Sequence, residues 1–147
     1  MKVPVGGYKA SNLERTYVNQ VLDSGQLSGL PFAGGQFTER FEAEFARLHD
    51  SRYAIFCNSG TSALQISLQS LKEIHGWEDG DEVIVPAVTF VATANIVLHN
   101  RMKPVFVDVE GNCFSIDFER IREKITEKTR AVIPVHIAGV QVNMKQI

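Results

Sequence analysis

Cysteine is scarce in this 147-residue chain: Cys57 and Cys113 are the only two. Two thiols make neither a disulfide framework nor a zinc pattern. No run approaches 18 consecutive apolar residues, so no membrane-crossing helix is expected. The opening Met1-Lys2-Val3-Pro4-Val5-Gly6-Gly7 has no apolar core of signal-peptide shape. Charge of one sign is also lacking. Fifteen Lys and Arg against seventeen Asp and Glu leave a net charge of −2. The basic residues are scattered, which argues against a nucleic-acid partner. Neither a P-loop nor a GxGxxG fingerprint occurs. His49, His75, His99 and His136 show no metal-ligand spacing such as HExxH, so no metal is expected. The expected setting is reduced and cytoplasmic.

What is present is the make-up of a globular chain: 44% hydrophobic and 22% charged residues exclude a disordered one. Positions 1–10 read as an extended arm. Ser11 and Glu14 form a capping-box pattern, so a helix should start there, with Leu13, Tyr17 and Val21 on one face and Asp23-Ser24-Gly25 ending it. Four glycines, Gly25, Gly29, Gly34 and Gly35, mark the following loop. Phe37, Phe41, Phe45 and Leu48 then repeat at helical spacing.

Beyond this the pattern alternates between strand and helix. Tyr53–Cys57 predicts a short apolar strand, and Leu64, Leu68 and Leu71 a helix. Glu82–Val85 predicts a strand closed by Pro86, and Thr89–Leu98 a buried helix. Pro104–Val107 predicts a third strand. Asp117 is placed to cap a helix carrying Phe118, Ile121 and Ile125. Ala131–Val135 predicts a fourth strand, and 143–147 reads as the first turn of a helix. Apolar strands separated by helices imply an α/β fold with a mostly parallel sheet covered on both faces.

Three segments could carry chemistry. Asn58-Ser59-Gly60-Thr61-Ser62 lies between a strand and a helix. Free N–H groups and the positive end of the dipole make such a helix start attractive to phosphate. Gly60 permits close approach, and Thr61 and Ser62 add hydroxyls. A plain turn with a Ser cap remains the alternative. Phe90 follows the strand closed by Pro86 and could stack on a flat heteroaromatic ring, or simply be core. His136 follows the last strand and could bond a ligand, act as acid or base, or bond backbone. Cys57 with His136 could form a thiol–imidazole pair, although an apolar strand favours an inert thiol. Ser59 lacks the G-x-S-x-G elbow of a serine hydrolase.

In order and spacing these segments resemble the DegT/DnrJ family of sugar aminotransferases over nearly the whole chain. The matching text includes Leu22-Asp23-Ser24-Gly25 with Ser28-Gly29, then Asn58-Ser59-Gly60-Thr61-Ser62-Ala63-Leu64. It continues with Gly80-Asp81-Glu82-Val83-Ile84-Val85-Pro86, Thr89-Phe90-Val91-Ala92-Thr93-Ala94-Asn95, Pro104-Val105-Phe106-Val107-Asp108-Val109 and Val135-His136-Ile137-Ala138-Gly139.

The resemblance implies a fold-type-I large domain that binds pyridoxal 5′-phosphate, and a homodimer. It assigns 1–36 to an arm, helix and loop, and 37–147 to the first part of that large domain. Gly60 and Thr61 would grip the cofactor phosphate, with Ser59 beside them, and Phe90 would stack on the pyridine ring. Ser28, Gly29 and His136 would face substrate. The implied reaction moves an amino group from an amino acid, usually glutamate, to a keto group of a nucleotide-linked sugar.

In the family a Schiff-base lysine follows a serine-rich strand turn. None of the seven lysines here (Lys2, Lys9, Lys72, Lys103, Lys124, Lys128, Lys145) does so. These residues alone are therefore expected to bind rather than catalyse. A histidine in the lysine's place would signal a related cofactor-dependent sugar dehydratase; a non-catalytic binding module is the other alternative. In the family, strand 53–57 pairs with strands made elsewhere in the sequence. The isolated chain is accordingly expected to fold poorly by itself.

Overall fold

The computed structural model describes residues 7–27 and 34–147. Ser28 and Gly29, and most of the expected N-terminal arm, lie outside the described residues. The chain forms two compact units, 1–56 and 57–147.

In the first unit, α1 spans Asn12–Ser24 and α2 spans Gln36–Leu48. The capping box forms as expected: the Glu14 N–H donates to Ser11 Oγ, and the Ser11 N–H donates to the Glu14 carboxylate. Tyr8 also donates to Glu14. Gly25 closes α1 at φ 66°, a left-handed cap that glycine takes without a Cβ penalty. Tyr17 and Phe37 join the helices with ring centroids 5.3 Å apart.

The apolar segment 53–57 enters no ladder among the described residues, so the expected strand is not formed there. Its apolar residues suit a sheet, yet a strand exists only beside a partner edge. Here a side chain takes that place: the Phe56 N–H donates to Glu42 Oε1 at 2.7 Å, and the Phe56 ring meets Phe41 edge-on at 5.8 Å.

The second unit carries a three-stranded parallel sheet of β1 (Glu82–Pro86), β2 (Lys103–Val107) and β3 (Thr129–Val132), in the order β2-β1-β3. Central β1 is buried along its whole length, as its unbroken apolar run requires. Helices α3 (Gly60–His75), α4 (Ala92–His99) and α5 (Phe118–Lys124) accompany it. Val83 and Val85 point to one face and pack with Leu68 of α3 and Ile96 and Val97 of α4. Ile84 points to the other, with Val107, Ile116, Ile121 of α5 and Val142. Period-two alternation thus gives β1 a core on each face, while β2 and β3 stay partly exposed.

Two element boundaries differ from expectation. The helix expected from Thr89 begins at Ala92, because 87–91 must first turn the chain back from β1; the Thr93 N–H donates to the Phe90 carbonyl at 3.0 Å within that turn. Only one face of α4 is buried, and Leu98 is exposed. The strand expected at 131–135 runs instead from Thr129 to Val132. Ile133 makes the last inter-strand bond, donating to the Ile84 carbonyl at 2.9 Å, and Pro86 on β1 has no N–H to return to the Ile133 carbonyl.

The two buried carboxylates at the start of β1 face opposite neighbours. Opposite Glu82 and Val83, β3 carries one extra residue, Arg130, between the paired Thr129 and Ala131. That bulge aims Arg130 Nε at Asp81 Oδ2, 2.7 Å away. Glu82 accepts from Thr126 Oγ1 at 2.6 Å and Lys103 Nζ at 2.9 Å. The bonds from Arg130 and from the Glu78 N–H hold the Asp81 carboxyl below the usual range. Those from Thr126 and Lys103 do the same for Glu82.

Candidate functional site

All three strands are parallel, so their C-terminal ends share one edge. The order β2-β1-β3 makes the connections after β1 and β3 diverge. Chain leaves β1 for α4 on one face, and leaves β3 toward Val142 on the other. Where connections diverge in an open α/β sheet, a crevice opens that suits a ligand. Phe90 follows β1 on one side of it, and His136 follows β3 on the other.

Helix α3 is aimed at the same edge. Its C-terminus joins β1 through the short link Gly76–Asp81, and Leu68 lies on the sheet between. Lys72 in its last turn donates to the Asn100 carbonyl at 2.9 Å, where α4 also ends. Asn100, buried at the end of α4, returns Nδ2 bonds to Ile96 at 2.8 Å and Gln65 at 3.2 Å. The two helices therefore end together and start toward the strands' C-terminal edge. Sixteen residues make α3 about 24 Å long.

The start of α3 has the donors a phosphate needs. Ser59 is the N-cap, and its Oγ accepts the Ser62 N–H at 3.1 Å. Ser59 Oγ also lies 3.0 Å from Ser62 Oγ, so this hydroxyl serves the helix first. The Ala63 N–H donates to the Ser59 carbonyl. The N–H groups of Gly60 and Thr61 have no acceptor among the described residues, nor does the Thr61 hydroxyl. A Cβ at Gly60 would meet nothing within 4 Å, so space stands open above these donors. The residues present thus fit a phosphoryl group.

Phe90 is 74% exposed and has no aromatic partner among the described residues, so its ring is not part of the packed interior. An aromatic left open at a strand end offers a flat apolar face to a planar ligand. Nearby, Thr89 Oγ1 and Thr93 Oγ1 lie 2.9 Å apart, tying the Phe90 turn to the first residues of α4. His136 is exposed, and its Nδ1 accepts the Val142 N–H at 3.0 Å. Of the alternatives open for His136, the backbone bond is thus the one formed; its partner, six residues on across an irregular loop, leaves no local signal in the sequence. Cys57 is half-buried beside the α3 start. No metal-binding group of three or more His, Cys, Asp or Glu occurs among the described residues, and no described helix is long and apolar enough to cross a membrane.

Comparison with known proteins adds three findings. Residues 9–147 match the model of the DegT/DnrJ/EryC1/StrS aminotransferase family. The chain is 37% identical over 137 residues to a GDP-perosamine synthase from Vibrio cholerae, a match covering 93% of this chain and 35% of that protein. Among solved structures it resembles an aminotransferase from Psychrobacter cryohalolentis (TM-score 0.85, 36% identity, 97% of this chain and 35% of that one). It also resembles an E. coli GDP-4-keto-6-deoxy-D-mannose-3-dehydratase with bound hydrated PLP (TM-score 0.85, 28% identity, 99% and 36%). The chain thus spans about a third of the length of these relatives.

Proposed function

This chain belongs to the DegT/DnrJ/EryC1/StrS aminotransferase family, and from that premise we propose that it supplies the phosphate grip and ring platform for pyridoxal 5′-phosphate in a sugar aminotransferase. The single observation carrying this reading is the pair of N–H groups, Gly60 and Thr61, that have no acceptor among the described residues, at a helix start aimed toward the strand edge from which Phe90 emerges. One dehydratase of the same fold holds PLP, which supports the cofactor assignment.

The division of labour follows from the chain's own groups. Gly60 and Thr61 donate to the phosphoryl oxygens, and the dipole of α3 adds positive potential there. Ser59 holds the helix start in shape. Phe90 lies against the heterocycle and keeps water from one face. His136 serves the substrate side, and Ser28 and Gly29 are assigned to substrate by the resemblance alone. The bound cofactor supplies the electron sink that amino transfer needs. The donor is an amino acid, glutamate by resemblance, and the acceptor a keto group on a nucleotide-linked sugar. The reaction calls for a lysine that the seven in these residues do not provide. The protein acts as a cytoplasmic homodimer without nucleic acid or membrane, with 37–147 as the first part of its cofactor-binding domain.

A second reading has its own support: the likeness to the dehydratase is as close in TM-score as that to the aminotransferase. By the resemblance, the two readings differ in whether lysine or histidine serves the cofactor. The testing experiment is a cofactor titration of the chain, followed by borohydride reduction and peptide mass mapping. Saturable uptake with no lysine labelled is expected, together with no transfer from glutamate. No saturable uptake by chain that shows a cooperative melt would sink the cofactor reading; a single labelled lysine would sink the claim that these residues bind without catalysing.

A further inference from the structure

The loop after β3 is built around one side chain. His136 sits at φ −77° and ψ 69°, the centre of an inverse γ-turn, and the Ile137 N–H donates back to the Val135 carbonyl at 2.9 Å. The His136 carbonyl then accepts the Gly139 N–H at 3.1 Å. Ala138 and Gly139 follow at φ 49° and 82°, two left-handed residues that reverse the chain. Finally the Val142 N–H returns to His136 Nδ1 at 3.0 Å, and Val142 itself is fully buried against Ile84 and Val107. Backbone turn, carbonyl and ring nitrogen of one residue thus hold the loop closed.

That closure fixes the imidazole's chemistry. A backbone N–H can only donate, so Nδ1 must be the bare nitrogen, and the proton of the neutral ring lies on Nε2. Nε2 has no partner among the described residues, and the ring is exposed at the edge where the β1 and β3 connections part. We propose that His136 is a positioning residue of fixed tautomer: Nδ1 secures the 136–142 loop, and Nε2–H is held out as a hydrogen-bond donor to an oxygen acceptor on the ligand in the β1/β3 crevice. This rests on the cofactor reading above, and it adds which nitrogen acts and why it cannot act as a base there. The acceptor belongs either to the cofactor or to the nucleotide sugar.

Two substitutions separate the two nitrogens. His136→Asn sets a carbonyl oxygen near the Nδ1 position, so the loop stays tied while the outer donor is lost. His136→Ala loses both. The titration uses pyridoxal 5′-phosphate and, separately, GDP-mannose, with melting temperature measured on every variant. His136→Asn is expected to melt near wild type yet bind one of the two probes about three- to tenfold more weakly, the worth of one hydrogen bond. Which probe weakens identifies the source of the acceptor. Long-range ¹⁵N correlation of the imidazole should show the proton on Nε2. A proton on Nδ1, or wild-type affinity of His136→Asn for both probes, would overturn the proposal. If wild type takes up neither probe, the cofactor reading falls and this proposal with it. If wild type binds and His136→Asn binds equally, this proposal alone falls.

Discussion

At the scale of single residues, exposure separates the two tasks a side chain can have here. Phe90 contributes almost nothing to the core, so Phe90→Ala should leave folding stability within about 0.5 kcal/mol of wild type. Its affinity for pyridoxal 5′-phosphate should fall roughly 2- to 12-fold, the range of one aromatic stack. Calorimetry and a thermal melt on the same sample check both halves. Asp81 and Glu82 behave in the opposite way. Their folded carboxyls lie below their ordinary values, so protonation favours the unfolded chain. Their stabilisation is complete above the ordinary carboxylate range, about pH 4, and is lost as pH falls through the lowered values. Asp81→Asn should therefore lower the melting temperature at neutral pH and flatten its decline in acid. A variant that melts like wild type at pH 7 would show that the Arg130 contact does not hold the sheet. Residue types alone made Gly60, Thr61 and Phe90 legible as candidates. The Arg130 bulge was not legible, because a single extra residue in a strand leaves no periodic trace.

At the scale of elements, legibility followed local signals. The start of α1 was readable from Ser11 and Glu14, and the start of α5 from Asp117, because a cap acts within three residues. Asp117 accepts N–H groups from Glu119 at 2.9 Å and Arg120 at 3.2 Å. Asp117→Ala should destabilise the second unit by about 1 kcal/mol, whereas Asp117→Asn, which also caps, should lie near wild type. Denaturant melts of the pair check this. Boundaries set by distant partners were misread. Segment 53–57 has strand composition, but a strand needs an edge to pair with, and Glu42 and Phe41 hold Phe56 instead. The helix expected at Thr89 starts three residues late because the chain must first turn away from β1. Both errors arise where tertiary geometry overrides composition.

At the scale of the whole molecule, a parallel order β2-β1-β3 was foreshadowed by apolar strands alternating with helices, while the strand order itself was not. That order matters most for function, since it makes the connections after β1 and β3 leave toward opposite faces of the sheet. A ligand bound only by the folded unit raises its stability by mass action: at a hundred times its Kd, pyridoxal 5′-phosphate should add about 2.7 kcal/mol. Scanning calorimetry with and without cofactor would show the shift, and it should shrink when inorganic phosphate competes. The most direct test is a ¹H–¹⁵N shift map of the chain titrated with pyridoxal 5′-phosphate. The Gly60 and Thr61 amides should move furthest, with the amides around Phe90 next. Saturable shifts centred elsewhere, or none at Gly60 and Thr61, would contradict the site.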